Sequence, residues 1–164
     1  NTFMRYNTFM APLLHLKATK TENTQYGSLP QDWADMQGWP ELAELVRSVV
    51  ASLPPKDRNH IVIAAKNYGE AAAIDFFGAS SGLPPVISGH NQYYLWGPGQ
   101  GSADLLIDVH GDCGKSIGLY RQAVLAATFH NSLVMPYENN IPIMICRGIK
   151  KPLKEFWPNV KHYE

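Results

Sequence analysis

The chain has no excess of charge of either sign: fourteen Lys and Arg balance fourteen Asp and Glu over 164 residues. Nucleic-acid binders neutralise phosphates with a clustered surplus of basic residues, so this balance argues against a nucleic-acid partner. The one basic cluster, from Arg147 to Lys154, lacks interleaved aromatic residues and is interpreted as a solvated face. No hydrophobic run reaches the length of a transmembrane helix, and no signal peptide opens the chain.

Cysteine is scarce, and so are metal-binding patterns. Cys113 and Cys146 form no CxxC pair, which excludes zinc-ribbon and thioredoxin-like motifs. A disulfide between them is possible but not indicated by the sequence, and two free thiols are the default expectation. The six histidines show no HxH, HxxxH or HExxH spacing, so no metal and no other cofactor is predicted. The segment HGDCGKS at 110–116 resembles a phosphate loop, but Val109 stands where the Walker pattern needs glycine. A turn with a helix cap is the better interpretation.

The hydrophobic content of 45% is enough for one folded domain with a sizeable core. His60–Ala65 has the all-apolar pattern of a central strand. Asn67 is a candidate N-cap, with Glu70 as its capping-box partner, for a helix over Gly69–Phe77. Further strands are predicted at Pro85–Ser88, Ala103–Val109, Ala123–Phe129 and Ile141–Arg147, with a helix over 40–53 and a short one at Gly114–Tyr120.

This order of elements predicts a three-layer α/β/α sandwich with a mostly parallel, Rossmann-like sheet and an antiparallel edge. Residues 1–31 have an irregular pattern, and no domain boundary is visible, so a single domain over 1–164 is expected. The chain begins at Asn1 without an initiator Met, which suggests a fragment of a longer protein or a processed chain.

Polar and aromatic side chains concentrate between Asn67 and Pro98, in two segments that each follow a predicted strand. Parallel strands deliver the segments after them to one edge of a sheet, which is where α/β proteins bind ligands. The residue types alone support two interpretations about equally. One is a ligand site, and the other is a long loop, 88–97, that only packs its own aromatic side chains over the sheet. The predicted ligand-binding residues are Asn67, Tyr68, Glu70, His90, Asn91, Gln92, Tyr93, Tyr94 and Trp96.

A resemblance is carried by five collinear segments that cover most of the chain. They are LPQDWADMQGWPEL (29–42), NYGEAAAIDFFG (67–78), LPPVISGHNQYYLWGP (83–98), MPYENNIPIMICRG (135–148) and PLKEFWPNVKHYE (152–164). The chain resembles the carboxy-terminal region of bacterial glycosyltransferase family 39 proteins. These are membrane enzymes similar to dolichyl-phosphate-mannose–protein mannosyltransferases.

The resemblance implies a soluble extracytoplasmic domain of a membrane enzyme that transfers a sugar from a polyprenyl-phosphate donor. In that family the catalytic acidic residues lie in a loop between membrane helices. No segment of this chain matches that loop, so the resemblance assigns no catalytic residue here. The implied partners are the membrane-embedded part of the same polypeptide and a lipid-linked sugar or an acceptor. Residues 1–31 would follow the membrane region.

Two other functions stay open from the residues themselves. The chain could be an independent α/β module that binds a small ligand such as a sugar or nucleotide. A weaker alternative is a hydrolase that uses Asp75, Glu138 or His90.

Overall fold

A computed structural model describes residues 5, 9, 10 and 27–163. The chain divides into two compact units, one of residues 1–38 with 130–140 and one of residues 39–129 with 141–164. The helices of the part from residue 27 onwards are α1 (Gln31–Ala34), α2 (Trp39–Ser52), α3 (Pro55–Arg58), α4 (Tyr68–Gly78), α5 (Asn91–Trp96) and α6 (Leu153–Phe156). Among the described residues, no helix has the length and hydropathy needed to cross a membrane.

The larger unit is built on one five-stranded sheet in the order β2-β1-β3-β5-β4. Its strands are β1 (Ile61–Ala65), β2 (Val86–Ile87), β3 (Leu105–Val109), β4 (Tyr120–Phe129) and β5 (Ile141–Ile149). β2, β1 and β3 are parallel, whereas β5 runs antiparallel to both β3 and β4. The sequence prediction of a mixed α/β fold with a parallel core and an antiparallel edge is therefore confirmed.

The β1–α4 unit forms as its sequence predicts. All residues of β1 except Ala64 are buried, which is why the strand is apolar without alternation. The Asn67 side chain accepts a hydrogen bond from the Glu70 N–H at 2.9 Å, and the Glu70 carboxylate accepts one from the Asn67 N–H at 3.2 Å. This reciprocal capping box starts α4 where the sequence predicts it.

The two faces of the sheet have different coverings. Side chains alternate along a strand, so Ile61 and Ile63 face one side and Val62 and Ala64 the other. α4 packs against β1, β2 and α2. On the Val62 side, a core cluster joins the sheet to the segment after β3 and to the carboxyl-terminal segment. That cluster consists of Val62, Ile87, Ala103, Leu106, Cys113, Leu119, Tyr120, Cys146, Leu153 and Trp157.

Two local expectations are wrong. The segment 88–97, expected to be a loop, contains helix α5, which is anchored because the buried Tyr93 donates its hydroxyl to the Asp75 carboxylate at 2.9 Å. The segment Gly114–Tyr120 holds only a 3₁₀ turn at Lys115–Ile117. Left-handed glycines flank that turn on both sides, and Tyr120 already belongs to β4.

The expectation of two free thiols is also wrong, because Cys113 and Cys146 form a disulfide. Cys146 lies within β5 beside Leu106 of β3. The chain after β3 folds back over the sheet and brings Cys113 to the same core cluster. The two cysteines are 33 residues apart, so their spacing in the sequence does not predict the disulfide. They come together only because the chain folds back over the sheet after β3.

The smaller unit has its own apolar contacts. Leu29, Ala34 and Met135 are buried together, and Trp33 packs against them. A 3₁₀ turn occupies Pro136–Glu138.

We expect the double substitution Cys113→Ser with Cys146→Ser to lower the free energy of unfolding. The bridge closes a loop of 33 residues, and releasing such a loop in the unfolded chain is worth about 3–4 kcal/mol. Urea denaturation of the oxidised protein and the double variant measures the difference. Equal midpoints, or two thiols titrated by a thiol reagent in unfolded but unreduced protein, would show that the bridge is absent or inert.

Candidate functional site at the carboxyl ends of the parallel strands

A cavity of about 480 Å³ opens on the face of the sheet that carries Ala64, Leu106 and Asp108. From β1 the chain proceeds to β2 on one side, and after β2 it returns to β3 on the other side of β1. β1 and β3 therefore flank the point at which strand order reverses, the usual ligand site of open α/β sheets. The cavity lies at the carboxyl ends of these strands, as the position of its lining residues in each strand shows.

The lining combines an apolar floor with polar groups. The apolar part comes from the sheet, from the segment before β4 and from the carboxyl-terminal segment: Ala64, Ala65, Ile87, Leu106, Leu119, Tyr120, Leu153, Phe156, Trp157 and Val160. The polar side chains are Lys66, Ser88, Asp108, His110, Asp112 and His162. A pocket with this composition suits a ligand that has an apolar body and a polar end.

A short side-chain contact joins the segments that follow the two strands. The Glu70 side chain is fully buried, and its Oε1 lies 2.6 Å from His110 Nδ1. Because the carboxylate accepts, His110 carries its proton on Nδ1, and Nε2 is the ring nitrogen left for a ligand. His110 has φ +65°, a left-handed conformation uncommon outside glycine. The backbone of the turn after β3 thus adopts a costly conformation that places the imidazole at the cavity.

Asp108 is the carboxyl group that faces this cavity from β3. Its Oδ2 accepts a hydrogen bond from the Cys113 N–H at 2.8 Å. A Cβ on Gly111 would lie 2.1 Å from the carboxylate oxygens, so only glycine fits beside them. Burial, then the negative charges of Asp112 and Glu70, raise the pKa of Asp108 to about 6. The group therefore changes its charge close to neutral pH.

The carboxyl-terminal segment closes one side of the cavity. The His162 N–H donates to the Gly89 carbonyl at 3.1 Å, and the Asn91 N–H donates to the His162 carbonyl at 3.2 Å. The His162 ring stacks on His90, with 4.7 Å between ring centroids. A Cβ on Gly89 would lie 2.1 Å from the Val160 carbonyl oxygen, so glycine is required where the segment crosses.

The nine residues predicted to bind ligand do not line the cavity. Four of them contact residues that do: Glu70 binds His110, His90 stacks on His162, the Asn91 N–H donates to the His162 carbonyl, and Tyr94 stacks on Trp157. Asn67 caps α4, and Tyr68 donates its backbone N–H to His90 Nδ1 at 3.3 Å.

The rest of the predicted set belongs to α5. Tyr93 is buried and donates a hydrogen bond to Asp75, whereas Gln92 is exposed. Trp96 is 71% exposed, and its ring meets Tyr93 edge to face. Asn91 opens the helix with φ +50°. Their role in ligand binding stays a prediction.

The residues of the hydrolase hypothesis are divided between the two units. Asp75 accepts hydrogen bonds from the Val86 N–H and from the Tyr93 hydroxyl, which is a structural arrangement. His90 is fully buried. Glu138 belongs to the smaller unit.

Sequence reasoning missed the contribution of the end of β3, which supplies Asp108, and of the segment after it, which supplies His110 and Asp112. The segment was interpreted as a turn because the Walker pattern fails there. Two polar residues, Asp108 and His110, alternate with Val109 at the end of a buried strand. That pattern is the signal that could have indicated a site there. Asp108 and the two cysteines also have donor atoms within 4.8 Å of one another, but both sulfurs are bonded to each other.

No protein-family model matches the chain, and no curated protein or solved structure is significantly similar to it.

Ionisation of Asp108 should destabilise the fold. Because folding raises its pKa from the ordinary 3.8 to about 6, the group favours the folded state below pH 4, and this contribution is lost as the pH rises through 6. The difference amounts to on the order of 3 kcal/mol. We expect Asp108→Asn to be more stable than the native protein at pH 8 and to have no such advantage at pH 4.

Denaturant unfolding at both pH values measures this difference, with Asp104→Asn, at the exposed position just before the same strand, as the control. A stability difference between Asp108→Asn and the native protein that does not change with pH would contradict the raised pKa.

Removing Glu70 should cost more than removing an ordinary capping residue, because His110 and the Asn67 N–H both lose their acceptor. We expect Glu70→Ala to lower the free energy of unfolding by about 2–3 kcal/mol. Glu41→Ala, an exposed glutamate in the first turn of α2, should change it by less than about 0.5 kcal/mol. Thermal and urea unfolding of both variants checks this, and similar losses for the two would show that the Glu70–His110 contact contributes little.

Proposed function

We propose that this chain is a ligand-binding accessory domain and that the cavity at the carboxyl ends of β1 and β3 is its ligand site. The observation that carries the proposal is the convergence of Asp108 and the Glu70–His110 pair on a cavity with an apolar floor at the strand-order reversal. Desolvated charged groups are costly for a fold, so their placement at a cavity is better explained by a bound molecule than by stability.

We place this domain in a membrane glycosyltransferase of the kind that its five segments resemble, on the extracytoplasmic side. The Cys113–Cys146 disulfide supports that location, because such bridges persist in oxidising compartments and are rare in the cytosol. The role is non-catalytic: the domain would help to recognise the polyprenyl-phosphate donor or the acceptor for the membrane-embedded part of the same protein.

The cavity lining supports a ligand of mixed character. Trp157, Phe156 and Tyr120 offer aromatic surface, and Asp108 and His110 offer hydrogen-bonding groups at one end. Aromatic faces pack on the apolar faces of sugar rings, while carboxylate and imidazole groups bind hydroxyls. A glycoside with an apolar substituent fits this description.

The finer architecture belongs to the same proposal. The carboxyl-terminal helix α6, the 3₁₀ turn Trp157–Asn159 and the segment after β3 would act as a thin third layer opposite α2 and α4. The structure would then be a three-layer α/β/α sandwich in which the cavity lies beneath the third layer.

A titration with hexyl β-D-glucoside, below its micellar concentration, tests the ligand site. We expect amide shifts in two-dimensional NMR to cluster at residues such as Ala65, Ser88 and Asp112, which line the cavity. Ala64→Phe places a large side chain into the cavity and should abolish these shifts. Ala72→Phe, at an exposed position of α4, is the matched control and should retain them.

Shifts that persist in Ala64→Phe, or that map to the exposed Phe76 and Trp96, would contradict the site. The accessory role has a separate test in the coding sequence upstream of Asn1. Several hydrophobic segments there are expected, and their absence would favour an independent binding module.

A further inference from the structure

The charges around the cavity are unevenly distributed. The negative charges of two acidic groups, Asp112 and Glu70, raise the pKa of Asp108, while His110 is the basic group that lowers it. His110 already contacts the Glu70 carboxylate at 2.6 Å, so its Nδ1 is engaged by another acidic side chain. Above its pKa of about 6, Asp108 is therefore an incompletely neutralised carboxylate in a desolvated position.

The other basic groups of the lining lie at the β1 and β2 side. Lys66 is exposed and directly follows β1. His162 stacks on His90 and has its Nε2 3.0 Å from the Lys66 carbonyl oxygen, which occupies that nitrogen. One backbone N–H, that of Cys113, approaches the Asp108 carboxylate at 2.8 Å. A carboxylate can accept several hydrogen bonds, so Asp108 keeps capacity for a further donor.

We propose that the ligand of this cavity carries a protonated amine that pairs with Asp108, with its apolar body against Leu106, Leu119 and Trp157. The inference rests on the proposed ligand site and adds the charge of the occupant. An ammonium group supplies the positive charge and the donors that the carboxylate lacks, and a charge-assisted hydrogen bond is about twice as strong as a neutral one. The apolar floor accepts the rest of the molecule.

Three six-carbon probes of nearly equal size isolate the charge: hexylamine, 1-hexanol and sodium hexanoate. We expect hexylamine to bind the complete chain at pH 7.5 about tenfold more tightly than 1-hexanol, and hexanoate to bind least. NMR shift titrations give the three dissociation constants. Hexylamine binds the ionised form of Asp108. The affinity of the protein for hexylamine should therefore fall as the pH drops below about 6, whereas its affinity for 1-hexanol should not.

Asp108→Asn should make the affinities for hexylamine and 1-hexanol equal, because it keeps the shape of the side chain and removes its charge. Asp104→Asn, at the exposed position just before β3, should leave the preference for the amine unchanged. These variants also separate a specific pairing with Asp108 from a general attraction of cations to exposed carboxylates.

Equal binding of hexylamine and 1-hexanol in the cavity would overturn the amine proposal and leave the ligand site standing. Tighter binding of hexanoate would overturn it in favour of an anionic ligand at Lys66 and His162. Failure of all three probes to shift the cavity amides would overturn both proposals.

Discussion

The site depends on the buried carboxylate of Glu70. Its two oxygens serve two different parts of the chain: one accepts the Asn67 N–H and begins α4, and the other binds His110 after β3. β1 and β3 are neighbours in the sheet, and this side chain connects the segments that leave their carboxyl ends. A local helix cap is in this way also a tertiary contact, which explains why a charged group is retained at a fully buried position.

The wall of the cavity requires a second constraint, the return of the chain after β3 over the sheet. Cys113 is tied to β5, and Asp108 accepts the Cys113 N–H, so the turn between them is held at both ends. Gly111 permits the close approach. The same contacts that hold the turn remove Asp108 from water and raise its pKa, so the structural arrangement produces the electrostatic property.

Most local features were predictable from the sequence, whereas individual contacts between distant residues were not. β1 and the capping box of α4 involve residues within four positions of each other, and both formed as expected. Helix α5 was missed because the bond from Tyr93 to Asp75 that anchors it spans 18 residues. The disulfide and the Glu70–His110 contact span 33 and 40 residues, so only the sheet order brings their members together.

The imidazole of His110 offers the most direct test, since it takes part in the Glu70 contact and also lines the cavity. Long-range ¹H–¹⁵N NMR of the ring distinguishes its two nitrogens. The account predicts a proton on Nδ1, directed at Glu70, and an Nε2 resonance that moves when hexyl β-D-glucoside is added, with no such movement in Ala64→Phe. Two results would contradict this account. One is a ring protonated on Nε2 alone, and the other is an Nε2 resonance of the native chain that does not move when the glucoside is added.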